Sequence, residues 1–216
     1  MSEWIAILDY DMTIVDSLKI FYRVYNDLLR KYFGEEVSID EFREMFCKNT
    51  IDEYKTYPPS FWEEFKQLYR AMHPSEISPM PGLGNFLKVL EKLGMEAYII
   101  TGRGVEPQDI ERELRFLNIE KFSGKIRTLK GSGGEHPFDK TEEVRKLLSE
   151  KKEYKCIMFG DYADDIIAAK KNGCLAVGIT NGCKSPEYFK RMGADYVIKD
   201  LEEGAELVNR IVILPP

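Results

Sequence analysis

The chain has 216 residues, of which 44% are hydrophobic and 31% charged, a balance typical of a globular protein and too apolar for disorder. Its formal net charge of -6 argues against a nucleic-acid-binding protein, because the phosphate backbone selects a basic surface. No apolar run approaches the ~20 residues of a membrane-spanning helix, and the N-terminus lacks the pattern of a signal peptide. We therefore expect a cytoplasmic monomer or homodimer without a nucleic-acid or membrane partner.

The four cysteines are scattered and form no CxxC pair, so neither a zinc site nor a disulfide framework is indicated. They are Cys47, Cys156, Cys174 and Cys183. We expect them to be buried free thiols in a reducing cytoplasm. Glutamine is rare while lysine and glutamate abound, a composition reported for thermophiles.

Strands and helices alternate through most of the chain. Predicted strands cover residues 3–9, 95–100, 126–129, 155–159, 175–179 and 195–198, with helices between the later ones. The first contains the apolar run from Trp4 to Leu8, which is typical of a strand covered on both faces of a parallel sheet. This alternation predicts right-handed crossovers and a mostly parallel sheet.

A helical insertion separates the first strand from the second. Apolar side chains recur at helical spacing in the segment that starts near Ser17, and no strand pattern interrupts it up to the segment Pro79-Met80-Pro81. Hydroxyl residues three positions before a glutamate predict capping boxes at Ser38, Thr50 and Ser60. We therefore expect an α/β fold, with a Rossmann-like three-layer core of residues 1–15 and 79–216. The all-helical insertion covers residues 16–78.

Polar residues that can carry chemistry follow three of the predicted strands. Asp9 ends the first strand and Asp11 follows it, Thr101 follows the second strand, and Asp161 and Asp165 follow the strand at 155–159. Because ligands bind at the carboxyl ends of parallel strands, we expect these side chains to share one crevice. Gathered carboxylates repel unless a cation neutralises them, and oxygen ligands suit Mg²⁺. Each residue alone could be a turn former or helix cap, so the prediction depends on their joint placement.

These motifs resemble those of the haloacid dehalogenase-like (HAD) phosphatases, in particular phosphoglycolate phosphatases with a small helical cap of the C1 type. The first motif, DxDx[TV], matches residues 9–13, and the fourth, GDxxxD, matches residues 160–165. The second is Thr101 after an apolar strand. The third, a Lys or Arg ahead of a helix, is best matched by Lys140, with Lys130 a weaker alternative.

The chain departs from the family pattern at two positions. Met12 replaces the glycine that is common in the first motif, so the loop there could sit differently. Lys140 follows Pro137-Phe138-Asp139, whereas the family frequently has a Lys-Pro sequence at this position.

The resemblance implies a Mg²⁺-dependent hydrolase that removes phosphate from a small phosphorylated metabolite. Asp9 would attack phosphorus and form an aspartyl-phosphate, while Asp11 would act as general acid and then base, which calls for a raised pKa. Thr101 would bind the phosphoryl oxygens, and Lys140 would offset negative charge on Asp9 and the phosphate. The implied Mg²⁺ ligands are the Asp9 carboxylate, the Asp11 backbone carbonyl, Asp161, and Asp165 either directly or through water.

The helical insertion is expected to close over the site and select the substrate. Candidate substrate-binding residues are Thr101, Gly102 and Arg103 in the core, with Lys48 and Asn49 in the insertion. Two other functions stay open: a phosphotransferase or mutase that uses the same intermediate, and a non-catalytic phosphate-binding protein. The retained Asp11 argues against a dehalogenase, because a halide leaving group needs no acid.

Overall fold

The structure is a computed structural model and describes residues 3–119, 122, 125–129, 139–151, 154–181 and 183–213. The chain divides into two units: unit 1 comprises residues 1–15 and 79–216, and unit 2 comprises residues 16–78. The division falls at the residues where the sequence places the insertion. That unit 2 serves as a cap stays a prediction.

Unit 1 is built on a parallel sheet. In chain order the strands are β1 (Trp4–Leu8), β2 (Val15–Asp16), β3 (Ser78–Pro79), β4 (Glu96–Thr101), β5 (Ile126–Thr128), β6 (Lys155–Gly160), β7 (Leu175–Ile179) and β8 (Tyr196–Ile198). Six of them form one sheet in the order β5-β4-β1-β6-β7-β8, and each pairing in it is parallel. The α/β, Rossmann-like prediction is therefore confirmed, and β1 lies between β4 and β6. The short strands β2 and β3 pair with each other where the chain leaves and re-enters unit 1.

Helices connect these strands. In chain order they are α1 (Leu18–Phe33), α2 (Ile39–Lys48), α3 (Ile51–Tyr54), α4 (Pro59–Arg70), α5 (Leu83–Lys92), α6 (Pro107–Phe116), α7 (Lys140–Glu150), α8 (Ala163–Lys171), α9 (Pro186–Arg191) and α10 (Leu201–Ile213). Helices α5 to α10 belong to unit 1, where α5 packs on α10 and α7 packs on α8. Among the described residues, no helix combines the length and apolarity needed to cross a bilayer.

The core of unit 1 explains the apolar run of β1. Ile5 and Ile7 pack on one face of the sheet, in a cluster that includes Val144 of α7 and Ile166 of α8. On the other face, the ring of Phe86 from α5 packs edge to face against the ring of Phe159 from β6, with the two centroids 5.0 Å apart. Because helices cover both faces, the four successive side chains from Ile5 to Leu8 are all buried, and β1 lacks the alternation of a half-exposed strand.

The predicted strands of unit 1 match the observed ones to within one residue at each end. The last helix, α10, extends to Ile213. Ile211 near its end is 7% exposed and so packs in the core. Residues 214–216 and the Gly-rich segment 131–134 lie outside the described residues, as does Lys130.

Unit 2 holds helices α1 to α4 around an aromatic core, in which Tyr57 and the buried Phe61 lie 4.6 Å apart between ring centroids. Of the three predicted capping boxes, the one at Ser38 forms. Thr50 makes no capping hydrogen bond through its side chain. The box at Ser60 is wrong because α4 already begins at Pro59, whose fixed φ suits the first helical position.

The expectation of free thiols is also wrong, because no cysteine is free. Cys156 and Cys174 are joined by a disulfide, and Cys47 and Cys183 are disulfide-bonded as well. The pairing of Ile157 with Leu175 in the parallel register of β6 and β7 sets Cys156 beside Cys174. The spacing of the two cysteines in the sequence does not reveal this contact, because it depends on the register of the two strands. Disulfides occur in proteins of oxidising compartments and also in intracellular proteins of hyperthermophiles.

We expect the double variant Cys156→Ala/Cys174→Ala to unfold at a lower temperature than the wild type. The disulfide joins residues 18 positions apart, and cross-linking a loop of this size removes chain entropy worth about 3 kcal/mol from the unfolded state. Thermal unfolding under non-reducing conditions measures the difference. An unchanged midpoint would show that this link contributes nothing to stability.

Candidate active site

The loop after β1 fixes the direction of the Asp9 carboxylate. The backbone N–H of Asp9 donates to the carbonyl of Phe159 at 3.0 Å, so the sheet pairing continues through this residue. The carbonyl of Tyr10 then accepts the backbone N–H groups of Ile14 and Val15 at 2.9 and 3.1 Å, which closes a tight turn. Asp9 is therefore buried at a strand end whose backbone is held by hydrogen bonds on both sides.

Met12 occupies the position where the family commonly has glycine, and its φ of 58° lies in the left-handed region that favours glycine. The loop keeps this conformation with a larger side chain. Two contacts hold it: the Met12 N–H donates to Val15 at 2.7 Å, and the Asn181 side-chain amide donates to the Met12 carbonyl. Asn181 follows β7 and thus links another strand end to the loop after β1.

Lys140 reaches into the same strand-end region from the first residue of α7. The Asp139 side chain caps this helix by accepting the N–H of Thr141 at 2.8 Å. From there the Lys140 Nζ donates to the Oδ1 atoms of Asp9 and Asp165, each at 2.7 Å. Of the two lysines weighed from the sequence, Lys140 is thus in direct contact with the carboxylates.

Three carboxylates from two strand ends form one cluster. Single oxygens of Asp9, Asp161 and Asp165 all lie within 4.8 Å of one another. The second oxygen of Asp165 accepts the backbone N–H of Tyr162 at 3.1 Å. Gly160 makes room for this arrangement, because a Cβ at that position would lie 2.1 Å from the Asp165 Cγ. The sequence motif GDxxxD therefore has a steric reason for its glycine.

The donor set of this cluster fits a hard divalent cation. It consists of carboxylate oxygens only, and Lys140 brings a single positive charge to three carboxylates. Both oxygens of Asp165 already accept hydrogen bonds, from Lys140 and Tyr162. Asp9 and Asp161 are therefore the better direct ligands, and Asp165 suits contact through water.

Burial and charge crowding perturb these groups strongly. Burial raises the pKa of Asp9 to about 7; Lys140 opposes this rise, and the charge of Asp165 adds to it. Burial, followed by the charges of Asp9 and Asp165, raises the pKa of Asp161 well above its usual range. Burial disfavours the charged form of Lys140, but Asp165 and Asp9 outweigh it and raise the pKa of this lysine.

These shifts predict that Mg²⁺ binds more tightly as the pH rises. The metal binds ionised carboxylates, so below pH 7 it must displace the proton that Asp9 retains, and Asp161 adds to the effect. For each proton displaced, the affinity for Mg²⁺ rises by up to about tenfold per pH unit. Calorimetric Mg²⁺ titrations at pH 6 and pH 8, in buffers of different ionisation enthalpy, would measure affinity and proton release together. Equal affinities without proton release would contradict the prediction.

Thr101 ends β4 and presents its hydroxyl with a defined direction. Its Oγ1 accepts the backbone N–H of Arg103 at 3.1 Å, which leaves the hydroxyl proton available for a phosphoryl oxygen. Gly102 is exposed beside it. The side chain of Arg103 is only 2% exposed and contacts Asp11 and Glu113, so it does not project into solvent as a substrate-binding arginine would.

The two substrate-binding candidates of unit 2 lie at the end of α2. Lys48 forms an ion pair with Glu44 at 2.5 Å, and Asn49 takes a left-handed conformation that caps the helix. Their contact with a substrate stays a prediction.

Sequence reasoning missed three residues of this region: Tyr10, Glu113 and Asn181. Glu113 carried a signal, because it falls three positions after Ile110 and beside Leu114, on the buried face of α6. A carboxylate on an apolar helix face needs a buried partner. Asn181 also follows a predicted strand, at the same edge of the sheet as the acidic residues.

Comparison with known proteins agrees with this arrangement. The model of the haloacid dehalogenase-like hydrolases matches residues 6–179. The pyrophosphatase PpaX of Listeria welshimeri is 19% identical over 208 residues, which cover 94% of this chain and 95% of the relative.

Two solved structures have the same fold. One, described as a predicted phosphoglycolate phosphatase from Haemophilus somnus, aligns with a TM-score of 0.72 at 18% identity and covers 96% of this chain and 99% of its own. The other is a HAD family hydrolase from Deinococcus radiodurans with bound phosphate and sodium. It has a TM-score of 0.70 at 19% identity and covers 98% of this chain and 97% of its own. Because the family match runs through β1, β4 and β6, whose ends carry Asp9, Thr101 and Asp161, the chain belongs to the haloacid dehalogenase-like hydrolase family.

Proposed function

We propose that this hydrolase is a Mg²⁺-dependent phosphatase that transfers the phosphoryl group of a small phosphomonoester to Asp9 and then to water. The observation that carries the proposal is the surroundings of Asp9. This carboxylate lies 2.7 Å from the ammonium group of Lys140 and within 4.8 Å of Asp161 and Asp165. A nucleophile, a cation and oxygen ligands for a metal therefore meet at one edge of the sheet.

In the first step an Asp9 oxygen attacks phosphorus, and the bond from phosphorus to the leaving oxygen breaks. Asp11 gives its proton to that oxygen, so an alcohol leaves and Asp11 becomes a carboxylate. Lys140 is bonded to Asp9 Oδ1, which directs the attack to the other oxygen, and Thr101 donates its hydroxyl proton to the phosphoryl group. The product of this step is an aspartyl-phosphate.

In the second step Asp11 takes a proton from water while the water oxygen attacks phosphorus. The bond between phosphorus and Asp9 breaks, which restores the Asp9 carboxylate and releases inorganic phosphate. Asp9, Asp161, the Asp11 carbonyl and, through water, Asp165 would hold Mg²⁺, whose charge would reduce repulsion between Asp9 and the phosphoryl oxygens. The net reaction consumes one water and one ester.

The substrate of the proposed phosphatase is not assigned to one compound. The relatives include a protein named pyrophosphatase and one described as a predicted phosphoglycolate phosphatase, so pyrophosphate and phosphoglycolate are both candidates. We keep the prediction that unit 2 is the cap that selects the substrate, with Lys48 and Asn49 as candidate contacts. A phosphotransferase or mutase would use the same first step and replace water by a second acceptor.

A phosphate-release assay with magnesium tests the proposal. The panel would contain phosphoglycolate, sugar phosphates, nucleoside monophosphates, pyrophosphate and p-nitrophenyl phosphate, each with and without EDTA. The proposal predicts release that EDTA abolishes. Transfer of phosphate to an added sugar would favour a phosphotransferase or mutase. Saturable phosphate binding without any turnover would favour a binding protein.

A further inference from the structure

Arg103, Glu113 and Tyr10 form a buried network that reaches Asp11, and these three residues have no part in the proposal above. The guanidinium group of Arg103 forms a fork between two carboxylates. Its Nη1 contacts the Glu113 Oε2 at 2.5 Å, and its Nη2 contacts the Asp11 Oδ1 at 3.3 Å. The side chains of Arg103 and Glu113 are 2% and 7% exposed, whereas that of Asp11 is 19% exposed. The network therefore runs from the interior to the residue that handles the proton.

Two neighbours fix the direction of this fork. The hydroxyl of Tyr10 donates to the Glu113 Oε2 at 2.9 Å, so this oxygen accepts from both Tyr10 and Arg103. The guanidinium carbon also lies 5.1 Å from the centroid of the Tyr10 ring, within the range of a cation–π contact. Because Tyr10 stands between Asp9 and Asp11 in the chain, the network is anchored in the catalytic loop itself.

A structural ion pair alone does not explain this geometry. For a simple ion pair, Glu113 alone would balance the charge of Arg103, and a lysine in place of Arg103 would serve equally well as the cation. The planar guanidinium instead spans two carboxylates with separate nitrogens, so the position of one carboxylate sets the position of the other. Substrate binding by Arg103 would need an accessible guanidinium, and this one is buried.

We propose that Arg103 is a positioning residue for Asp11, and that Glu113 and Tyr10 hold Arg103 in place. This inference rests on the proposed phosphatase function. The contact from Arg103 Nη2 at 3.3 Å holds Asp11 Oδ1, and with it the carboxyl group that exchanges a proton with the leaving group and later with water.

The inference predicts a loss that depends on the leaving group. An alkyl phosphate needs a proton on its leaving oxygen, whereas an activated aryl phosphate such as p-nitrophenyl phosphate departs without one. In Arg103→Met we expect kcat/KM for an alkyl ester to fall about 10- to 100-fold, a part of the full effect of a general acid. For p-nitrophenyl phosphate we expect a change of less than about threefold.

Further variants separate positioning from folding. Arg103→Met leaves Glu113 buried without its cation, so the double variant Arg103→Met/Glu113→Gln removes both charges and protects the fold. Arg103→Lys keeps the charge without the fork and should recover only part of the alkyl-ester rate. Arg112→Met, an exposed arginine on the same helix as Glu113, is the matched control and should leave both rates unchanged. Thermal unfolding identifies any variant that does not fold.

The outcomes distinguish this inference from the function on which it rests. A selective loss on alkyl esters in folded Arg103→Met, or in the double variant, supports positioning. Equal losses on both substrates, or a rise in KM alone, would reject the inference and leave the phosphatase intact. If the wild type turned over no phosphate ester with Mg²⁺, the proposed function would fail, and the inference with it.

Discussion

The variant Asp9→Asn is expected to lose phosphate release almost completely, by at least about 10⁴-fold, while it keeps its fold. An amide is too weak a nucleophile to form the covalent intermediate, and loss of a nucleophile removes nearly all of the catalysis that depends on it. Asparagine retains the shape of the side chain and an oxygen that accepts from Lys140. The initial rate of phosphate release at saturating Mg²⁺ measures the loss.

Stability should move in the opposite direction to activity. Burial raises the pKa of Asp9 to about 7, so at pH 8 the fold holds an ionised carboxylate whose ionisation costs more free energy than it does in the unfolded chain. Asparagine removes this charge, so the metal-free variant should unfold at the same temperature as the wild type or higher at pH 8. The exposed Asp164, on the helix that carries Asp165, provides the control Asp164→Asn, which should retain full activity. Near-normal turnover by Asp9→Asn would eliminate Asp9 as the nucleophile.

The part of this site that could be predicted follows from local spacing combined with sheet topology. The run from Trp4 to Leu8 identifies a strand buried on both faces, and Asp9 follows it directly. A second buried strand, β6, leads to Asp161. Parallel strands bring such ends to one edge of the sheet, so the sequence was enough to expect the carboxylates in one place. Their distances and their pairing with Lys140 required the packing of α7.

Contacts between separate elements could not be predicted, because nothing in the local sequence encodes their register. Glu113 looks like one more carboxylate on an amphipathic helix, and it meets Arg103 only because α6 packs against the loop after β4. Cys156 and Cys174 become partners through the one-to-one register of β6 and β7. The left-handed conformation of Met12 is stabilised by Asn181, which is far away in the chain.

The variant Asp11→Asn is expected to separate the two chemical steps. Without the acid, kcat/KM for alkyl phosphates should fall by about 10²- to 10⁴-fold, the usual contribution of general acid–base catalysis. For p-nitrophenyl phosphate, kcat/KM should fall by less than about tenfold, because it reports the steps up to departure of a leaving group that needs no proton. Asparagine still accepts from Arg103, so the fold should be preserved.

The same variant should accumulate the covalent intermediate when it is given the activated substrate. Asp9 would still be phosphorylated quickly, but no base would remain to take the proton from the attacking water, so the second step becomes slow. Rapid mixing should therefore show a burst of nitrophenolate equal to the enzyme concentration, followed by slow turnover. Wild-type enzyme should show a smaller burst or none. If kcat/KM of Asp11→Asn fell equally for both substrates and no burst appeared, Asp11 would serve the structure of the loop and not the transfer of protons. The network from Tyr10 through Glu113 and Arg103 would then be explained as support for that loop alone.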